Sequence, residues 1–274
     1  MDFVNSIILG IVQGLTEFIP VSSSGHLIIA RDILGLQLSH SLAFDAVLQL
    51  ATTLAVLVYF RKDIWGYIKT FFKIISGKSK EIEKKEKTLL YAVILGTIPA
   101  VIIGLLLEES METIFRNPTL VAGSLIFGAV LMWWAEAVSK RKRDLGVKDD
   151  DSLSTKRGFG VGFFQALALI PGFSRSGMTI TGGLFLGLNR VEATRFSFLL
   201  AFPVLFGSGI KKLMDLGGSG LLESVGGPLL VGSIVSFIVG LAAIHFLVGY
   251  LKKHTLNAFV VYRIILAVVV LIFI

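Results

Sequence analysis

A glutamine and a glutamate four residues apart, Gln13 and Glu17, are the first residues of this sequence that could do chemistry. On an α-helix this spacing places both side chains on one face. Glu17 lies between Leu15 and Ile19, and an ionised carboxylate in hydrocarbon needs a cation, a proton or a polar cavity. Glu17 is therefore a candidate divalent-metal ligand or acid–base group. The alternative is a protonated or paired structural carboxylate.

Three serines, a glycine and a histidine follow in the run Pro20-Val-Ser-Ser-Ser-Gly-His26. In a helix that begins at the serines, Ser23 and His26 lie one turn apart. An imidazole beside a hydroxyl can activate a nucleophile or protonate a leaving group. The alternatives are ordinary N-capping by the serines and a structural, hydrogen-bonded His26.

A second run, Pro171-Gly-Phe-Ser-Arg-Ser-Gly-Met-Thr179, carries a cation instead of an acid. Serines, glycines and backbone N–H groups at a helix N-terminus form an anion cradle. Arg175 adds a planar fork of donors suited to phosphate oxygens. The alternative for Arg175 is an internal ion pair with Glu17 or another acid. Phosphate binding is the favoured prediction, because hydroxyls and glycines flank Arg175 on both sides.

The two runs belong to an internal repeat. From Gly10 to Leu36, ten of 27 positions are identical to Gly162 through Leu188 without a gap. The copies differ where chemistry requires it, since Ser23 aligns with Arg175 and the second copy lacks the glutamate and the histidine. This division predicts one asymmetric site, shared between the copies, for a phosphorylated substrate.

The composition of the sequence predicts that the helices which position these residues cross a membrane. The 274 residues are 54% hydrophobic and 16% charged, with a mean hydropathy of +0.81. Apolar runs of about 20 residues recur, long enough to span a bilayer. The net charge of +7 does not indicate a nucleic-acid partner, because 16 of the 26 Lys and Arg lie in 61–87 and 139–157, as in cytoplasmic loops. Cysteine is absent, which excludes disulfides and thiolate metal sites.

The hydrophobic pattern predicts six spanning helices and two broken segments. The expected spans are 42–60, 88–107, 118–138, 193–211, 227–248 and 256–274. The broken segments, 3–36 and 158–190, each read as a re-entrant hairpin with its turn at the serines. With both basic loops in the cytoplasm, the acidic loop Glu108, Glu109 and Glu112 falls outside.

Three spans separate the hairpins, and an odd number inverts the second half relative to the first. We therefore expect an all-α polytopic membrane protein, residues 1–274, with two inverted-topology repeats. Each repeat would hold one re-entrant helical hairpin and about three transmembrane helices. Repeat one covers about 1–138, the basic cytoplasmic loop about 139–157, and repeat two about 158–274.

Five further polar residues are expected at membrane depth. Asp45 and Gln49 share a helix face and could face the site. For Glu192 and Arg195 we favour helix-end charges or buried pairs. No role is assigned to Arg263.

The blocks Gln13-Gly-Leu-Thr-Glu17, Pro20 to His26 and Pro171 to Thr179, together with length, hydropathy and repeat, resemble the undecaprenyl-diphosphatase family, also called the bacitracin resistance (BacA/UppP) family. The resemblance implies a bacterial cytoplasmic (inner) membrane enzyme that hydrolyses undecaprenyl diphosphate to undecaprenyl phosphate and inorganic phosphate. This reaction recycles the lipid carrier of cell-wall synthesis and confers bacitracin resistance. The site would open to the outer (periplasmic) face.

The resemblance also implies roles for individual residues. The catalytic residues would be Glu17, Ser23, His26 and Arg175. Glu17 and Gln13 would bind a divalent cation, Mg²⁺ or Ca²⁺. The diphosphate-binding residues would be Ser22, Ser24, Gly25, Ser174, Ser176, Gly177 and Thr179. The expected partners are the undecaprenyl diphosphate substrate and membrane lipids, and a homodimer is left open.

Two alternatives stay open at this point. The nucleophile is Ser23, His26 or a water molecule, with Ser23 preferred and His26 assisting. The competing function is an inverted-repeat transporter or lipid flippase for a phosphorylated substrate, because paired re-entrant hairpins are also a transporter design.

Overall fold

A computed structural model describes residues 2–36, 41–107, 117–146, 152–218 and 222–273. In these residues every regular element is helical, which confirms the expected all-α fold. The α-helices of this part of the chain are α1 (Phe3–Phe18), α2 (Ser23–Ile33), α3 (Ser41–Tyr59), α4 (Arg61–Ile75), α5 (Lys84–Leu106), α6 (Pro118–Asp144), α7 (Thr155–Leu167), α8 (Arg175–Phe185), α9 (Arg190–Gly218), α10 (Leu222–Leu251) and α11 (Asn257–Phe273).

Four of the described helices, α5, α6, α9 and α10, are long and apolar enough to cross a bilayer. Helix α3 passes the same test only together with α4, from which it is bent by 87°. Helix α11 is apolar but has 17 residues. The multi-pass membrane fold is thus confirmed, with four to five candidate spans in the described residues where six were expected. Exposed apolar side chains such as Phe127 and Ile238 give these helices lipid-compatible surfaces.

The two serine segments form two pairs of short helices, α1 with α2 and α7 with α8, each interrupted by a break of a few residues. In the first pair the chain passes through Pro20 before α2 begins at Ser23. In the second pair a series of turn hydrogen bonds extends α7 as far as Ile170, and α8 begins at Arg175. These four helices have 16, 11, 13 and 11 residues and are each too short to span a bilayer alone, as expected of re-entrant hairpins.

Each hairpin packs mainly against a long helix from the other half of the chain. Helix α1 lies along α10, and α7 lies along α5. Glycines allow these close approaches. A Cβ atom on Gly14 would lie 2.8 Å from the Ser236 carbonyl oxygen, and one on Gly162 would lie 2.8 Å from Gly96 Cα. This reciprocal pairing is compatible with two inverted repeats.

The Gly162→Ala variant tests the α5–α7 contact. The added methyl group has to push two helix backbones apart, and overpacking of this kind costs about 1–3 kcal/mol. We expect the midpoint of thermal unfolding in detergent to fall by about 3–10 °C. The matched control is Gly123→Ala on α6, where an added Cβ meets nothing within 4 Å. An equal midpoint for both variants would contradict the close packing.

The segments between the spans differ in part from the sequence prediction. Segment 61–87, expected as a basic loop, contains all of α4, a short 3-10 turn at Ser79–Glu81 and the start of α5. The acidic loop at 108–112 lies outside the described residues, as does 147–151 within the basic loop 139–157. The placement of these two loops stays a prediction.

Candidate active site

Glu17 is the centre of the polar cluster between the two hairpins, and it is 4% exposed. Its Oε2 accepts hydrogen bonds from Gln13 Nε2 at 2.9 Å, from Ser23 Oγ at 2.9 Å and from Gln49 Nε2 at 3.2 Å. Its Oε1 accepts from Arg175 Nη2 at 3.1 Å. One carboxylate therefore connects α1, α2, α3 and α8, and the cation supplies the compensation that a buried negative charge needs.

Arg175 forms the ion pair that was the alternative to phosphate binding, yet the pair does not use all of its donors. Its side chain is 10% exposed. Nη1 reaches the Ser197 carbonyl oxygen at a long 3.4 Å, and the buried Nε has no partner. A buried donor without an acceptor costs about 1–3 kcal/mol. The arrangement therefore favours an anion that can accept from this guanidinium.

The serines that precede α2 and α8 adopt the same unusual backbone conformation. Ser22 has φ 76° and Ser174 has φ 69°, and no other non-glycine residue in the described ranges has a positive φ. Each hydroxyl accepts a hydrogen bond from the N–H three residues on, that of Gly25 or of Gly177. The capping alternative is thus realised at both serines. Left-handed backbone costs about 1–3 kcal/mol per residue, and strain of this kind concentrates at functional sites.

The acid–base partner of Ser23 in the structure is Glu17, whereas the sequence favoured His26. The Ser23 hydroxyl donates to Glu17 Oε2. Among the described contacts none joins His26 to Ser23. The i, i+3 spacing brings the two residues one turn apart on α2, but the imidazole turns towards α11. The sequence spacing correctly predicted that Ser23 and His26 share a helix, but it did not predict that the imidazole of His26 points away from Ser23.

His26 is held between a backbone carbonyl and a tyrosine. Its Nδ1 lies 2.7 Å from the Ser22 carbonyl oxygen, and its Nε2 lies 2.7 Å from the Tyr262 hydroxyl on α11. A carbonyl only accepts, so Nδ1 carries the proton. In the neutral ring Nε2 then accepts from Tyr262. Tyr262 is a site residue that the sequence reasoning missed, because only the packing of α11 brings it to α2.

In the second hairpin the hydroxyls of Ser174, Ser176 and Thr179 form an inward hydrogen-bond network. Ser176 and Thr179 are fully buried. Thr179 Oγ1 donates to the Arg175 carbonyl oxygen at 2.8 Å and lies 2.5 Å from Ser197 Oγ on α9. Ser176 Oγ lies 3.3 Å from Ser174 Oγ. These contacts fix the turn that carries Arg175, and Ser197 is another residue that the sequence did not single out.

Arg263, fully buried on α11, lies beneath the breaks of both hairpins. Nη1 donates to the Phe173 carbonyl oxygen at 2.8 Å and Nη2 to that of Gly172 at 2.9 Å. A longer contact of 3.5 Å reaches the Pro20 carbonyl oxygen. Further bonds go to the carbonyl oxygens of Ser124 and Leu125 on α6. In the sequence, the feature that could have indicated this role is that Arg263 is the single cation of the apolar stretch 256–274.

The other polar residues at membrane depth divide between the site and structural pairs. Gln49 faces the site, as expected, whereas Asp45 pairs with Arg31 of α2. Arg195 pairs with Glu192 at 3.0 Å and also with Asp63. Glu192 and Arg195 thus form a half-buried ion pair in the first turns of α9, in agreement with the favoured interpretation as helix-end charges or pairs.

The cluster has few groups for a metal ion. In the described ranges no three His, Asp or Glu side chains converge. Mg²⁺, however, is commonly held by one or two carboxylates together with substrate phosphates. Glu17 supplies such a carboxylate, and Gln13, whose amide nitrogen bonds to it, has an oxygen of the type these cations prefer. The residues fit a cation shared with a diphosphate but not one held by protein ligands alone.

Comparison with known proteins gives a consistent set of relatives. Residues 6–269 match the family described as Bacitracin resistance protein BacA. An undecaprenyl-diphosphatase of Thermobifida fusca (strain YX) is 42% identical over 273 residues, which cover 99% of this chain and 90% of the relative. The undecaprenyl-diphosphatase of Chloroherpeton thalassium is 41% identical, with 99% and 96% covered. That of Alteromonas mediterranea is 40% identical, with 100% and 99% covered.

Proposed function

Because the chain belongs to the bacitracin resistance protein BacA family, we propose that it is an undecaprenyl-diphosphate phosphatase. It removes the terminal phosphate of undecaprenyl diphosphate and leaves undecaprenyl phosphate and inorganic phosphate. Relatives about 40% identical over nearly their whole length carry the name undecaprenyl-diphosphatase. In the bacterial cytoplasmic membrane this reaction recycles the lipid carrier for cell-wall synthesis and confers resistance to bacitracin.

The observation that carries the proposal is the meeting of Glu17, Ser23 and Arg175 at the junction of the two hairpins. Arg175 keeps a buried Nε without an acceptor, which suits a phosphate oxygen. Ser23 brings a half-buried hydroxyl to a carboxylate that can accept its proton. A cation, a nucleophile and a base within one polar cluster are what hydrolysis of a phosphoanhydride requires, since its transition state spreads negative charge over phosphate oxygens.

In the preferred mechanism the Ser23 oxygen attacks the terminal phosphorus while its proton passes to Glu17. The bond from that phosphorus to the bridging oxygen breaks, and undecaprenyl phosphate leaves with the electron pair. Water then attacks the phosphoserine, which releases inorganic phosphate and restores the serine hydroxyl. Arg175 stabilises the charge on the non-bridging oxygens. Water activated by His26, or His26 itself as nucleophile, are the alternatives.

A divalent cation, Mg²⁺ or Ca²⁺, is part of the proposal. Glu17 and the Gln13 amide oxygen would hold it together with the substrate diphosphate. When bound, it would offset the charge of the phosphate oxygens. The Ser22 and Ser174 hydroxyls accept from the N–H groups of Gly25 and Gly177. These caps would fix the turns so that the N–H groups of Ser24 and Ser176 face the diphosphate.

The lipid chain would lie between helices in the bilayer, with the site open to the outer face. A homodimer is compatible with this proposal and is not required by it, because all the proposed catalytic groups come from one chain.

The deciding experiment is release of inorganic phosphate from undecaprenyl diphosphate by the purified protein in detergent with Mg²⁺ or Ca²⁺. We expect turnover that stops when the cation is chelated. The competing function, transport of a phosphorylated lipid, predicts no phosphate release together with movement of the lipid across vesicle membranes. That pair of results would replace the enzyme proposal.

The Ser23→Ala variant separates the nucleophiles. If Ser23 forms the phospho-enzyme, the variant loses about 10³-fold or more in kcat, and no radiolabel from the terminal phosphate stays on the protein after an acid quench. The matched control is Ser24→Ala, which removes the neighbouring hydroxyl and is expected to keep the label. Full activity of Ser23→Ala would assign the attack to water or to His26.

The Tyr262→Phe variant tests whether Tyr262 positions His26. Without the phenol, the imidazole loses the donor to Nε2 and can leave the orientation seen here. We expect kcat to fall by about 3- to 30-fold with a smaller change in KM. Tyr59→Phe is the matched control, because Tyr59 contacts His245 in a similar tyrosine–histidine pair. Equal changes of kcat in the two variants would show that Tyr262 does not position His26 for the reaction.

A further inference from the structure

Helix α4 turns away from α3 by 87° at Phe60, directly after an apolar helix. Helix α3 coincides to within one residue with the expected span 42–60. A helix perpendicular to such a span lies along the membrane surface. Helix α4 has three distinct faces, as a helix at a membrane surface requires: one packs on the protein, one is apolar and suits lipid, and one is charged and suits water. The active site uses none of these residues.

One face of α4 is buried against the protein and a second is apolar and open. Ile64, Tyr67 and Thr70, at i, i+3 and i+6, are buried. On the open face lie large apolar side chains with exposed fractions of 58, 64 and 67%, namely Trp65, Phe72 and Ile75. A soluble protein rarely leaves three such side chains on one short helix exposed, and here acyl chains can cover them.

The third face is a basic stripe. Lys62, Lys69 and Lys73 are exposed and lie seven and four residues apart, which is one line along a helix. Arg61 is exposed beside the stripe. In the described ranges none of these four cations forms an ion pair with a carboxylate. The one acid of α4, Asp63, is paired with Arg195.

A recess of about 390 Å³ opens at the elbow where α3 meets α4. Its lining is mostly apolar, with two cations at the start of α4. The lining residues are Leu57, Arg61, Lys62, Ile64, Trp65 and Ile68. Apolar walls beside exposed cations complement a molecule with an acyl chain and an anionic head.

From this geometry we propose that the α3–α4 elbow is a binding site for an anionic phospholipid. The phosphate lies against Arg61 and Lys62, the stripe of Lys69 and Lys73 extends the attraction along the surface, and an acyl chain enters the recess beside Trp65. A zwitterionic lipid has the same chain but no net charge to match the stripe, so the site selects by charge. The proposal is independent of the hydrolysis of any substrate.

Trp65 provides the probe for this site. The chain has three tryptophans, so the Trp133→Phe/Trp134→Phe variant retains Trp65 alone. We would reconstitute it in phosphatidylcholine vesicles and add phosphatidylglycerol or phosphatidylcholine with brominated acyl chains, which quench nearby indole fluorescence. The expected result is a relative binding constant about fivefold or more higher for phosphatidylglycerol, decreasing as salt is raised.

The charge argument is tested by two matched variants on this background. Lys62→Gln/Lys69→Gln/Lys73→Gln is expected to bring the preference down to about twofold or less, because the stripe supplies the attraction. Lys80→Gln/Lys84→Gln/Lys85→Gln removes the same charge from exposed positions beyond α4 and is expected to keep the preference. Thermal unfolding midpoints of both variants should match the parent protein.

Three outcomes would overturn the proposal. The first is equal quenching by the two brominated lipids. The second is an equal loss of preference in both lysine variants, which would indicate a general effect of net charge. The third is displacement of phosphatidylglycerol by an equimolar amount of undecaprenyl phosphate, which would assign the recess to the polyprenyl lipid.

Discussion

In the Arg175→Lys variant, kcat/KM for phosphate release from undecaprenyl diphosphate is expected to fall by about 10²- to 10³-fold, with the fold unchanged. Lysine keeps the charge opposite Glu17 but loses the planar fork, including the Nε that has no partner in the structure. The ammonium group has its three donors on a single nitrogen, so it cannot keep the Nη2 contact with Glu17 and also place donors where Nη1 and Nε lie. Losing one donor to developing negative charge has an effect of this size.

The measurement is steady-state phosphate release over a range of substrate concentrations, together with the thermal unfolding midpoint. The matched control is Arg190→Lys, which leaves a cation opposite the buried Glu136 in another ion pair of the membrane region. It is expected to change kcat/KM by less than about threefold, because that pair lies outside the polar cluster. Near-normal activity of Arg175→Lys would mean that Arg175 only neutralises Glu17.

The Arg263→Met variant is expected to lose both stability and activity. Methionine fills part of the volume but leaves the carbonyl oxygens of Gly172 and Phe173, and those of α6, without their buried donor. Each unsatisfied buried acceptor costs about 1–3 kcal/mol, partly offset by removing a buried charge. We expect the unfolding midpoint in detergent to fall by about 10 °C or more, or the yield of folded protein to collapse.

Two companion variants make this result interpretable. Arg263→Lys keeps the charge but cannot reach the second hairpin and α6 at the same time, so an intermediate loss is expected. Val261→Met places the same new side chain at a lipid-exposed position of α11 and should leave the midpoint within about 2 °C. If Arg263→Met unfolds at the parent temperature, the guanidinium does not hold the hairpin breaks together.

Much of the fold could be predicted from the sequence because hydrophobic run length and helix-breaking residues are local signals. The expected span 118–138 falls within α6, and the expected span 88–107 lies within α5 except for its last residue. The serine turns were located to within a residue, since Ser22 and Ser174 cap the helices that follow. Segment 61–87 was the failure. Its charges indicated a loop, whereas residues Arg61–Ile75 form α4, whose apolar side chains follow the 3.6-residue spacing of a helix.

The sequence predicted which residues form the candidate site, but it did not predict most of the hydrogen bonds between them. Glu17, Ser23, His26 and Arg175 were chosen because polar groups at membrane depth are costly without a function. Their partners depend on side-chain directions and on helices distant in sequence. Thus Ser23 bonds to Glu17, while His26 turns to Tyr262, 236 residues away.

The sequence by itself determined the membrane class, the repeat and the asymmetric division of acid and cation between its copies, because each follows from residue types and short spacings. Only the tertiary structure decided that Glu17 collects four donors, that Arg175 keeps one donor without an acceptor, and that Arg263 lies beneath both breaks. The physical reason is that a buried polar group is stabilised by whichever partners packing brings within about 3 Å, and packing is a property of the whole chain.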